Sequence, residues 1–205
     1  MCIRDSGYLV GRKDHEGAER YYQYCTAFPV GTALAQSWNK KLMEQFGRKV
    51  AAEMEEFHIN LWLAPGLNIH RNPLCGRNFE YYSEDPLVAG KMAAALTRGV
   101  QSQNVSITIK HFAANNREYN RRDTDSRMSE RALREIYLKG FEIAVREAQP
   151  LSIMTSYNLL NGIHTANSHD LIQGMARDEW GFKGAIMTDW TTTEQGDSCT
   201  ASVHL

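Results

Sequence analysis

Four short apolar runs in this chain each lead into groups that can do chemistry. Gly184–Trp190 ends on Asp189 and Trp190, and Leu151–Ser156 ends on Tyr157-Asn158. Val105–Ile109 runs directly into Lys110, His111 and Phe112, and Ile59–Pro65 opens a polar loop that carries Arg77. An apolar run bounded by turn signals reads as a buried strand, and a charge at its end must find partners or react. Asp189 therefore has two readings: a carboxylate that caps the next helix, a place Asp favours, or a reactive group. One polar strand end is routine. Four in succession point to a shared pocket.

The residue types describe what would enter such a pocket. Arg, Lys, His, Tyr and Asn donate hydrogen bonds, one carboxylate can attack or accept a proton, and Trp190 and Phe112 offer flat apolar faces. That set suits a neutral polyol such as a sugar ring, whose hydroxyls need dense hydrogen bonding and whose C–H faces stack on aromatics. A carboxylate held near Arg and Lys stays ionised, as a nucleophile toward an oxocarbenium-like centre must. Structural readings stand beside these. Arg77 can brace its own loop through Glu80 or Glu84, Lys110 can lay its stem along apolar surface, Tyr157 can be a core residue, and Met154 suits core filling. His70, His164 and His169 have no partner at ligand spacing and read as structural or surface residues.

Hydrophobic periodicity supplies the elements that would carry these groups. After Asn39, a good N-cap, Leu42, Met43, Phe46, Val50, Met54 and Phe57 recur at helical spacing. The Ile59–Pro65 strand is stopped by Pro65 and Gly66. Leu67–Glu84 is a long connection without helical period, and such connections are usually functional. Asp85-Pro86 opens a helix to about Gln101; a second polar loop, Ala113–Arg127, follows the next strand. Ser129 caps a helix whose apolar face is Leu133, Ile136, Tyr137, Phe141, Ala144 and Val145, and Ser168 caps another that Gly181 stops after Trp180. Helix and strand alternate, and the strands are apolar throughout, so the fold class is α/β with a parallel sheet under helices. Such a sheet is either open or closed into a barrel; the lack of a Gly-x-Gly-x-x-Gly or phosphate-loop motif favours the barrel, in which the strand C-termini share the face where active sites lie.

The bulk properties narrow the partners. The chain has 205 residues, a net charge of -1 and 42% hydrophobic content, an ordinary composition for a chain with a sizeable core. No basic run marks it for nucleic acid or an anionic membrane, and no apolar stretch of about eighteen residues marks a bilayer span. A neutral or weakly charged partner is expected. The cysteines, Cys2, Cys25, Cys75 and Cys199, are scattered and read as reduced thiols. Met1–Ser6 resembles a translated sequencing-library end and is read as a scar, so localisation is not legible from this terminus. Gly7–Tyr24 reads as an irregular lead-in with a packing cluster at Tyr21, Tyr22 and Tyr24.

The run Pro65–Pro86, with Gly76-Arg77-Asn78-Phe79-Glu80-Tyr81-Tyr82-Ser83-Glu84-Asp85-Pro86 at its end, closely resembles glycoside hydrolase family 3, in particular its β-glucosidase-like members. Lys110-His111-Phe112, Ser156-Tyr157-Asn158 and Thr188-Asp189-Trp190 resemble that family's later motifs in the same order, and the likeness extends from about Cys25 to Ser202. The resemblance implies a (β/α)8-type barrel and a retaining mechanism in which Asp189 is the catalytic nucleophile. It implies that Arg77, Lys110 and His111 grip hydroxyls of the terminal β-glucosyl residue, and that Arg121, Met154, Tyr157 and Trp190 line the same subsite. Ala113-Ala114-Asn115-Asn116 stands where N-acetylglucosaminidase members carry a Pro-Gly-His-Gly type loop. The family's upstream Asp-Gly-Pro stretch and the second domain bearing its acid/base Glu have no counterpart here. Residues 7–205 are therefore expected to be an incomplete barrel domain, truncated at both ends and inactive alone. No metal or organic cofactor is implied, and the expected partner is a small carbohydrate. Two rivals stay open: a barrel lyase that forms a Schiff base through Lys110, and a non-catalytic sugar-binding fragment.

Overall fold

The computed structural model describes residues 24–192. The scar assigned to Met1–Ser6, Tyr21 and Tyr22 of the lead-in cluster, and Cys2 and Cys199 lie outside these residues; Tyr24, the cluster's third member, is exposed rather than packed. Its framework is a parallel sheet of β1 (Leu61–Trp62), β2 (Ser106–Phe112), β3 (Ser152–Thr155) and β4 (Ala185–Met187), paired in chain order. Each strand lies beside the next in sequence, as in the wall of a (β/α)8 barrel. The register places Leu61 against Ser106, Ile109 against Ile153, and Ile153 against Ile186.

Strand alternation sorts the side chains. Ile107, Ile109, Ile153 and Ile186 join the core under the helices, while Thr108, Lys110, Ser152 and Met154 take the opposite face and are also buried. A register shift between Lys110 and Phe112 interrupts the alternation at the C-terminal end of β2. β1 is shorter than the expected Ile59–Pro65 strand, yet pairing does not stop at Pro65. The Pro65 carbonyl accepts from Lys110 N–H at 3.0 Å, so the loop that follows is tied to β2.

The helices form where caps and periodicity place them. In α1 (Lys40–Glu56) the Asn39 side chain accepts from Leu42 N–H; Met43, Val50 and Met54 are buried, and Leu42 is left half-exposed in the first turn. In α2 (Pro86–Gln101) the Asp85 carboxylate accepts from Leu87 and Val88 N–H, with Pro86 in the first turn. α3 starts at Glu130–Ala132 under a Ser129 cap, widens over Leu133–Tyr137 and continues through Lys139–Ala148. The wide turn, closed by Leu138 N–H on the Leu133 carbonyl at 2.8 Å, corrects the expected face. It buries Leu138 and leaves Ile136 half-exposed. α4 (Asp170–Glu179) is also wide, and ends before Gly181, whose φ of +71° is left-handed. Among the described residues no helix is long and apolar enough to cross a membrane.

The two long loops are ordered against the sheet. Gly66 in the first bridges to both Tyr81 and Lys110. The second, expected to be irregular, places Asp125–Ser126 beside Leu159–Leu160, which in turn pairs antiparallel with Ile163–His164.

α2 is rich in alanine and glycine, which lets α1 and α3 approach closely. At Gly99 an added Cβ would lie 2.2 Å from the Glu44 carbonyl oxygen of α1. Gly99→Ala is therefore expected to destabilise the chain by roughly 1–3 kcal/mol in urea unfolding, since backbone rather than a flexible side chain must give way. Gly174→Ala, inside α4 with nothing within 4 Å of its added Cβ, is the control and is expected to stabilise by roughly 0.5–1 kcal/mol, the ordinary gain of alanine over glycine in a helix.

Candidate active site

Asp189 follows β4 and is 5% exposed. Its Oδ1 accepts from Trp190 N–H at 2.9 Å, and Thr192 Oγ1 donates to its carbonyl at 2.8 Å, which turns the chain beyond it. Oδ2 is buried and makes no hydrogen bond of good geometry to a described residue, while the Tyr157 hydroxyl is near enough to interact with the carboxylate as a hydrogen-bond donor. A buried polar atom without a well-formed hydrogen bond is costly to maintain, and at a strand end it marks a place made for a ligand atom or a reacting centre.

His111 faces that oxygen, with Nε2 3.6 Å from Oδ2. Asn68 clamps its backbone: His111 N–H donates to Asn68 Oδ1 and Asn68 Nδ2 donates to the His111 carbonyl, each at 2.9 Å. Burial first, and then the positive charges of Arg77, Lys110 and Arg121, push the imidazole pKa well below its ordinary value. The ring is neutral, so its contact with Asp189 is a dipole against a carboxylate rather than an ion pair.

Arg77 and Lys110 meet on Glu80. Arg77 Nε pairs directly with Glu80 Oε1, and Lys110 Nζ lies 3.4 Å from Oε2. Burial pushes the Glu80 carboxyl up, but Lys110 and Arg77 outweigh it and hold its pKa below the ordinary value. The loop-brace reading of Arg77 thus holds through Glu80, while Glu84 is exposed. The expectation that Arg and Lys flank Asp189 is corrected: both side chains are engaged by Glu80, and the groups that face the nucleophile candidate are His111 and Tyr157.

Tyr157 is 4% exposed, with the Arg121 guanidinium 4.2 Å from its ring centroid. Its hydroxyl pKa is raised by burial first and by the charge of Asp189 second, with Arg121 opposing. Arg121 Nη1 also donates to Glu118 Oε2 at 2.8 Å. Met154 sits abreast of Lys110 and Met187 in register and is buried on the same face as Lys110. Trp190 is 71% exposed, so its indole stands at the rim rather than in the buried site. Phe112 does not offer a face to a ligand as expected. It is fully buried, with Phe141 and Trp180 at ring-centroid distances of 5.2 and 5.7 Å, because the register shift after Lys110 turns it toward the helices.

The structure thus gathers Asp189, His111, Tyr157, Lys110, Arg77, Arg121 and Met154 at the C-terminal ends of β2–β4. Sequence reasoning gave Tyr81, Asn115 and Glu118 only as members of polar loops, and Asn68 only as part of the family run, with no role for any of them. Nothing local distinguishes Asn68 or Tyr81, whose roles come from contacts with His111 some 43 and 30 residues away. Among the described residues no group of three or more His, Cys, Asp or Glu is placed to hold a metal ion.

Residues 8–201 match the family described as "Glycosyl hydrolase family 3 N terminal domain". The chain is 55% identical to β-glucosidase A of Butyrivibrio fibrisolvens over 80% of its own length and 20% of that protein's. It is 48% identical to an exo-α-(1→6)-L-arabinopyranosidase of Bifidobacterium breve over 88% of its own length and 24% of that protein's. β-Glucosidase 3B of Thermotoga neapolitana, solved in complex with glucose, superposes with a TM-score of 0.82 at 52% identity, covering 87% of this chain and 24% of that one. The chain therefore spans about a fifth to a quarter of the length of these relatives.

Glu80→Gln should unpair Arg77 and Lys110 together and destabilise the fold by roughly 2–3 kcal/mol at neutral pH. Because the folded-state pKa of Glu80 is depressed, this stabilisation is present above the unfolded carboxylate range, near 4.3, and is lost as pH falls through the folded value. Urea unfolding of both proteins across acidic pH checks this: the gap between them should close on acidification.

Proposed function

Because the chain belongs to glycosyl hydrolase family 3, we propose that it carries the nucleophile and much of the sugar-binding wall of a retaining β-glucosidase-type hydrolase. The observation that carries this reading is the buried Asp189 carboxyl at a strand end, whose Oδ2 meets no cationic side chain and is faced by the imidazole of His111 and the hydroxyl of Tyr157. In the proposed reaction Oδ2 attacks the anomeric carbon of a terminal β-glucosyl or related residue as the bond to the leaving oxygen breaks. A glycosyl ester on Asp189 results, and water then hydrolyses it with net retention.

The surrounding residues take roles that fit their positions. Lys110, His111, Arg77 and Arg121 donate to ring hydroxyls, Met154 and Tyr157 wall the subsite, and Trp190 offers its exposed face to the sugar or its leaving group at the rim. Glu80 is unsuited to be the proton donor, since Lys110 and Arg77 hold it ionised. We assign the acid/base role to a Glu outside residues 24–192, in keeping with the small share of the relatives' length that the chain spans, and residues 7–205 to part of the N-terminal catalytic barrel. The engagement of Lys110 by Glu80 argues against the Schiff-base lyase, which needs a free amine.

Incubation with a 2-deoxy-2-fluoro β-glucoside bearing an activated leaving group should add one glycosyl group per chain, mapped to Asp189 by peptide mass analysis. Such a reagent needs a nucleophile but little help from a general acid. Asp189→Asn should abolish the adduct without loss of a cooperative melt. An unlabelled, folded wild-type chain would refute the nucleophile assignment, and robust cellobiose turnover by this polypeptide alone would refute the external acid/base.

A further inference from the structure

We propose that Tyr81 is a positioning residue that sets the tautomer of His111, so that the neutral ring presents an Nε2–H toward Asp189 and the sugar-binding face. Tyr81 is fully buried, and its ring lies edge-on to His111 with centroids 6.1 Å apart. The hydroxyl has two side-chain partners. Asn115 Nδ2 donates to it at 3.1 Å, and His111 Nδ1 lies 3.2 Å away. The Asn115 amide is itself oriented, because Nδ2 also donates to Glu118 Oε1 at 3.0 Å.

The direction of the chain follows from donor and acceptor capacity. With Asn115 donating to it, the hydroxyl must send its own proton to an acceptor, and His111 Nδ1 is the one within reach among the described residues. A proton on Nδ1 would strand a buried O–H without an acceptor. It would also turn the Nε2 lone pair toward Asp189 Oδ2, 3.6 Å away. One contact opposes the assignment: Asn68 Oδ1 lies 3.3 Å from Nδ1. That oxygen already accepts from the His111 backbone N–H at 2.9 Å, so it does not need the ring proton. Two unsatisfied arrangements therefore weigh against one long contact between acceptors, and Asn115, Tyr81 and His111 form a directed relay that ends in Nε2–H.

This inference rests on the hydrolase reading only for what the Nε2–H is used for, namely donation to a sugar hydroxyl oxygen beside the nucleophile. The tautomer itself is measurable without substrate. Long-range 1H–15N correlation spectra of the full chain, with His111 identified through backbone assignment, should show the Nε2–H pattern. In Tyr81→Phe the same ring should shift to Nδ1–H or to a mixture, and labelling of Asp189 by the fluoroglucoside should slow by about tenfold, the effect of losing one site hydrogen bond. An Nδ1–H ring in the wild type, or an unchanged Nε2–H ring in Tyr81→Phe, would overturn the proposal. Should Tyr81→Phe fail to fold, the wild-type spectrum decides alone: Nε2–H upholds it and Nδ1–H overturns it. Failure of the hydrolase reading would look different, as absent labelling in both proteins with the tautomer shift still present.

Discussion

The register of β2 against β3 and of β3 against β4 is the constraint on which the site depends. Lys110, Met154 and Met187 lie abreast, so the chain segments just past them emerge at one level. Because strand side chains alternate, a slip of one residue would exchange the two faces, sending Lys110 into the apolar layer and an isoleucine toward the site. The core enforces the correct choice. Ile107, Ile109, Ile153 and Ile186 together fill the space under the helices, and a slip by any odd number of residues would take one strand's isoleucines off that side. The shift after Lys110 then adds what plain alternation cannot: His111 reaches Asp189 while Phe112 drops back into the core.

The electrostatics of the site follow a division of labour. Positive charge is concentrated nearby, but Arg77 and Lys110 are held by Glu80, and Arg121 by Glu118 and the face of Tyr157. What remains opposite Asp189 is a buried, uncharged imidazole and a phenol. A carboxylate in such a setting keeps one oxygen free of strong partners, whereas a direct Arg or Lys contact would occupy it. The same buried cations help keep the imidazole neutral, so carboxylate bridges and histidine are parts of one arrangement.

Small residues at the helix crossings make this geometry possible. α2 lies between α1 and α3, and both crossings use glycine: Gly99 meets the Glu44 backbone, while Gly90 meets Ile143 and the Gly140 carbonyl. Close helices draw the layer tight against β2 and β3 and fix the strand ends from behind. The loops are fixed from the front, through Pro65 and Leu67 on Lys110 and through Asn116 on the Ile69 carbonyl.

Much of this was legible in the residues taken in order. Caps at Asn39, Asp85 and Ser129, helical spacing, and apolar runs ending on reactive groups rest on interactions within a few positions, so local sequence determined them, along with the family motifs from Arg77 to Asp189. Of the residues those motifs carry, His111 and Tyr157 come to face Asp189, Arg77 and Lys110 meet on Glu80, and Trp190 stays exposed. Three kinds of feature were decided only in three dimensions. The wide turn in α3, which buries Leu138 instead of Ile136, brings Leu138 into the common core, a choice made by the assembled fold rather than by local spacing. The fate of Phe112 depends on a register shift that appears only when β2 meets β3. The choice of partners, Glu80 for Arg77 and Lys110, and Asn68 and Tyr81 for His111, depends on which acceptor lies nearest once water is excluded. Local pattern carries no record of that competition, because it is settled by burial and distance between segments that are remote along the chain.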